Sequence, residues 1–60
     1  MNKAQDFDTW AAAVARELTT LGVDSMKAKN VPYENETWFR AAFDDGRDPR
    51  TVAAEWFNYD

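Results

Sequence analysis

Apolar residues recur along the first third of the chain at helical spacing. At 100° per residue, Phe7, Trp10, Ala11, Val14, Leu18 and Leu21 fall on one stripe roughly 100° wide, and Thr9, Arg16, Thr19 and Thr20 lie opposite. This predicts a helix from about residue 7 to 21. Asp6 or Asp8 caps its start with negative charge in the first turn, and Gly22 stands where a helix C-terminus needs a left-handed residue. Residues 1–5 read as a frayed polar end.

Two later segments share a second pattern. Trp38, Phe39, Ala42 and Phe43, and then Val52, Ala53, Trp56 and Phe57, are spaced i, i+1, i+4, i+5, which is one face of a helix. The first predicts a helix over about 35–45, with Asn35 as cap, an ion pair between Glu36 and Arg40, and Gly46 at its end. The second predicts a helix over about 49–58, with Asp48 as cap and Pro49 at the first helical position. Between the first and second helices the pattern fades. Pro32 disfavours helix at Val31, so residues 24–29 are expected to form a short turn or a single extra helical turn capped by Asp24. Val23, Met26 and Val31 are the apolar residues expected to tuck beneath the bundle. No run alternates with a period of two, which excludes a sheet. The prediction is an all-α, compact three-helix bundle forming one domain over residues 1–60.

Composition changes this picture in one respect. There is no Ile, and there are only two Leu and four Val among the 60 residues. Aliphatic residues alone are too sparse to fill a core. Ten Ala and nine aromatic side chains take over that task, small residues letting helices approach and rings filling the space. Self-association is a further source of burial for so small a domain.

Charge and missing residue types narrow the function. A net charge of −4 and an isoelectric point near 4.5 argue against attraction to phosphate backbones or anionic lipid. The chain has no Cys and no His. It therefore has no thiolate or imidazole with which to bind a metal, attack a substrate or act as a base near neutral pH. Asp44-Asp45-Gly46-Arg47-Asp48 is too short and too interrupted to be a calcium loop, and its acids are explained as a helix end and a cap. The remaining carboxylates sit at helix starts, and Lys27 and Lys29 lie in a polar stretch. No enzyme, cofactor, metal site or membrane association is expected. The polar N-terminal residues and the lack of Cys fit a reducing cytoplasm.

Two binding readings remain. The aromatic faces of the second and third predicted helices each span about 140°, wider than one core seam requires. Trp38 and Phe57 fall at the edges of those arcs. With Tyr59 they are expected to form a patch that binds a protein partner or a second copy of the chain. The alternative comes from Ala42, Gly46 and Val52, whose Ala-x3-Gly-x5-Val spacing over residues 38–57 resembles the core of the helix-turn-helix DNA-binding motif. The resemblance implies that Arg50 reaches a base edge and that Arg47 or Thr51 contacts phosphate. Glu55 stands where the motif has an apolar residue, and Asp44, Asp45 and Asp48 crowd the same end. The preferred expectation is a small accessory protein, of the kind found in bacteria and phages, that works by protein binding.

Overall fold

The computed structural model describes residues 6–59; the frayed end expected at 1–5 lies outside the described residues. Four helices follow one another: α1 (Phe7–Thr20), α2 (Ser25–Glu34), α3 (Glu36–Asp44) and α4 (Pro49–Tyr59). The all-α class expected from the pattern is present. The helix count differs by one.

Helix α1 is the element on which the others pack. Phe7, Trp10, Ala11, Val14, Ala15 and Leu18 are buried along it. Asp6 caps its start, the Oδ1 atom accepting the Thr9 N–H at 2.8 Å. Its end closes as the pattern predicted. Gly22, at φ +113°, lets its own N–H reach the Thr19 carbonyl and the Val23 N–H reach the Leu18 carbonyl, both at 3.0 Å. This pair of hydrogen bonds satisfies two carbonyls that the helix end would otherwise orphan. Leu21, placed on the buried stripe from sequence, is exposed, because the backbone has already left the helix there.

Helix α2 is the correction to the three-helix expectation. Asp24 caps it, Oδ2 accepting the N–H groups of Met26 and Lys27. The helix then runs through Pro32, which has no N–H to offer the Ala28 carbonyl. Ala28, Val31 and Pro32 are all buried, and α2 packs on α1 as extensively as α4 does. Burial of that three-residue face outweighs the local preference of Val31 for extended backbone. Met26, expected beneath the bundle, instead points outward at 74% exposure, two residues before Ala28 in the first turn of α2 and on another side of the helix.

Pro32 takes effect three residues later. At Asn35 the backbone leaves the helical region (φ −122°, ψ 41°) for one residue, and α3 starts at once. Asn35 is a hinge and not the side-chain cap expected from sequence. Its backbone carbonyl accepts the Phe39 N–H, while its side-chain Nδ2 donates backwards to the Val31 carbonyl at 3.1 Å.

Helix α3 joins α1 through rings. Trp10 meets Phe39 and Phe43 at edge-to-face angles of 65° and 66°, and Phe7 meets Phe43 at 82°. The expected Glu36–Arg40 pair forms at 3.3 Å, and the Arg40 guanidinium also lies 4.4 Å from the centre of the Phe7 ring. After α3 the chain turns at Gly46 (φ +76°) through the same pair of bonds that closes α1, Gly46 N–H to the Phe43 carbonyl and Arg47 N–H to the Ala42 carbonyl. The Trp10 indole N–H donates to the Arg47 carbonyl at 3.0 Å, fastening this turn to α1. Asp48 then caps α4, whose Val52 and Ala53 are fully buried.

Two outcomes are expected. Replacing Trp10→Phe keeps a ring but leaves the Arg47 carbonyl without its donor. Urea unfolding should show a loss of about 1–3 kcal/mol. Hydrogen bonding from Thr9, by side chain and backbone, holds the Asp6 carboxyl below its ordinary value of 3.8. A lowered folded value means stability present above the unfolded value and lost as pH falls through the folded one. Asp6→Ala should therefore melt below the unsubstituted chain at pH 7, with the gap closing as the pH is taken below 3.8.

A candidate docking face of unpaired aromatic side chains

The nine aromatic residues divide into two groups. Phe7, Trp10, Tyr33, Trp38, Phe39 and Phe43 make ring–ring contacts with one another. Among the described residues, the α4 rings Trp56, Phe57 and Tyr59 make none. The reason is local. Helix α4 gives its innermost positions to Val52 and Ala53, and the next turn carries three rings on a helix only 18% of whose residues are fully buried, two of eleven. Trp56 is half-buried against the core, while Phe57 is 42% and Tyr59 87% exposed.

Helix α3 contributes the fourth ring. Trp38 is 42% exposed although it lies beside the fully buried Phe39, edge-on to it with ring centres 4.8 Å apart. Consecutive residues on a helix point 100° apart, so one faces the core and the other does not.

The structure brings the three residues expected to form the patch into one region, with Trp56 as the connecting piece. A cleft of about 210 Å³ lies between Asn35, Trp38, Trp56 and Tyr59. An open groove of about 600 Å³ lies on the other side of Trp56 and Tyr59, lined also by Phe57, Val23, Asp24 and Lys27. Trp56 and Tyr59, three residues apart on α4, form the ridge between the two. Sequence reasoning assigned Trp56 to the core alone. Its spacing from Tyr59 was the signal that it also had an outer edge.

The residues of the alternative reading gather at the α3–α4 turn. Ala42 and Val52 are buried and Gly46 has positive φ, but both side chains are covered in a core shared with α1, and α3 and α4 make little direct contact beyond the turn that joins them. The three candidate contact residues there are committed differently. The Arg47 guanidinium pairs with Glu55, the residue that departs from the motif. Arg50 and Thr51 are exposed, and their backbone N–H groups are held by the Asp48 carboxylate. Asp44, Asp45 and Asp48 are exposed around them. Among the described residues, no group of three or more acidic side chains is placed to hold a metal ion, and no helix is long and apolar enough to cross a membrane.

If these rings are surface and not core, truncation should separate them. Tyr59→Ala should change unfolding free energy by no more than about 0.5 kcal/mol, the range of ordinary surface positions. Trp56→Ala should cost about 2 kcal/mol, below the 3–5 kcal/mol of a fully buried Trp. Chemical denaturation of the two variants side by side measures the difference.

No protein-family model, curated protein or solved structure matches the chain.

Proposed function

We propose that this protein is a non-enzymatic interaction module that docks another protein on the aromatic end of α4. The observation that carries the reading is the contiguity of Trp38, Trp56, Phe57 and Tyr59 around two adjoining grooves, with three of the four rings more than two-fifths exposed. Exposed aromatic clusters of this kind act as the desolvated anchors of interfaces, where Trp and Tyr contribute most of the binding energy. The chain contains neither Cys nor His, and the one Tyr–carboxylate hydrogen bond among the described residues, Tyr33 to Asp8, is exposed and lies away from the aromatic face.

Charge favours a foreign partner over a second copy. At these exposures Trp38, Phe57 and Tyr59 offer roughly 300–400 Å², whereas a standard interface takes about 800 Å² from each partner, so either occupant extends over the rim. A symmetric dimer sets this same face against itself and brings two chains of charge −4 together, a repulsion that a partner of opposite charge does not meet.

The test uses the full chain and the triple variant Trp38→Ala/Phe57→Ala/Tyr59→Ala. A partner retained from extracts of the native host should be lost by the triple variant and kept by Arg16→Ala, on the opposite face of α1. Retention by the triple variant would overturn the reading. Sedimentation should give a monomer at micromolar concentration; a dimer abolished by the triple variant would reassign the face to self-association. Fluorescence anisotropy with mixed-sequence duplex DNA at low salt should give binding weaker than about 10⁻⁴ M, below ordinary nonspecific affinity. Saturable binding lost in Arg50→Ala would restore the nucleic-acid alternative.

A further inference from the structure

The smaller cleft has a chemical bias that the larger groove lacks. Its four lining residues, Asn35, Trp38, Trp56 and Tyr59, are all uncharged. Three present aromatic rings, and aromatic faces carry negative quadrupolar charge that attracts cations. Among the described residues no guanidinium or ammonium stands over these rings, although the same protein places Arg40 over Phe7.

Asn35 adds a direction. Its Nδ2 atom donates to the Val31 carbonyl, and only an amide nitrogen can face that acceptor. The Oδ1 atom is thereby turned the other way. Asn35 thus brings to the lining of the cleft a polar side chain whose Oδ1 atom no donor among the described residues reaches.

The two grooves differ in their charges. The larger is lined by one cation and one anion, Lys27 and Asp24, whereas the smaller has an uncharged, ring-dominated lining in which the aromatic faces alone act on a cation. On the far side of Trp38 lies Arg47, already neutralised by Glu55. The chain as a whole carries −4 and draws cations toward it.

We propose that the cleft between Trp38, Trp56 and Tyr59 receives an arginine side chain of the partner protein, its guanidinium stacked on the rings and donating to Asn35 Oδ1. The inference rests on the docking-face reading above and names the chemistry of its anchor. A cleft of about 210 Å³ accepts one side chain and not a helix. Arginine fits better than lysine because its plane stacks on aromatic faces, its fork supplies five donors, and it gives up its hydration more readily.

The test reads the indole N–H signals of the isotopically labelled full chain by NMR. Three Trp residues give three reporters, with Trp10 as the buried control. The probe is N-acetyl-arginine N-methylamide, and the comparison is its citrulline counterpart, which keeps the shape and loses the charge, at matched ionic strength. The arginine probe should move the Trp38 and Trp56 signals saturably and leave Trp10 in place. The citrulline probe should bind about two- to fivefold more weakly, the share that cation–π attraction supplies at an exposed site. Tyr59→Ala, whose other signals should superimpose on those of the unsubstituted chain, should weaken the arginine probe by a similar factor. Equal affinity for the two probes would overturn the cation preference while leaving the docking face intact. No movement of Trp38 or Trp56 with either probe would overturn the cleft as a side-chain site, and the retention assay with the triple variant would then judge the docking face separately.

Discussion

Trp10 ties α1 both to α3 and to the turn from which α4 starts. Its ring meets Phe7 on its own helix and Phe39 and Phe43 on α3, and its N–H holds the Arg47 carbonyl in the turn that launches α4. A chain with two Leu and no Ile cannot fill an interior with aliphatic layers. A single indole that packs on its faces and donates from its edge does the work of several such residues. Because the Arg47 carbonyl is fixed, the start of α4 is fixed. Val52 and Ala53 are then the residues that meet α1, and the rings of the last turn are carried past the end of the core.

The sequence discloses the elements whose signals are local. Asp6, Asp24 and Asp48 cap the helices they precede. Gly22 and Gly46 end two helices in the left-handed backbone that only glycine adopts without strain. What it hides is decided by packing at a distance. Pro32 reads as a stop because its steric effect on Val31 is local, but the gain from burying Ala28, Val31 and Pro32 on α1 exists only in the folded molecule. Asn35 reads as a cap for a related reason. Its side chain could accept the free N–H groups at the start of α3 or donate back to α2, and the Pro32 segment behind it left the Val31 carbonyl within reach of its Nδ2. Leu21 and Met26 fail more simply. Leu21 lies one residue past the end of α1, and Met26 lies within α2 but off the face formed by Ala28, Val31 and Pro32.

The candidate face was legible in part, through angle alone. Trp38 and Phe57 sit at the edges of arcs too wide for one seam, and both are exposed. Trp56 was invisible as a surface residue because residues at the centre of an apolar arc are normally interior. Its half-burial follows from the shortness of α4 beyond Val52 and Ala53, where the bundle no longer has a helix opposite to cover a side chain of that size. Asn35 entered the cleft only through the hinge, which no reading of Pro32 as a terminator can anticipate.

The hinge therefore connects the fold to the face. An uninterrupted α2–α3 helix would carry Trp38 along a straight axis, and a conventional loop after Pro32 would leave it free of any fixed relation to α4. The one-residue break at Asn35 does neither. It is held by two bonds to the same Val31 carbonyl, one from the backbone N–H and one from the side chain, both 3.1 Å long. Those bonds determine the angle at which α3 departs, bring Trp38 across from Trp56 and Tyr59, and use one of the two N–H donors of the Asn35 amide. The amide oxygen, which no donor among the described residues reaches, remains for a ligand. The residue that makes the bundle four helices instead of three is thus also the one that gives its aromatic cleft a polar side, and fold and proposed function meet at a single amide.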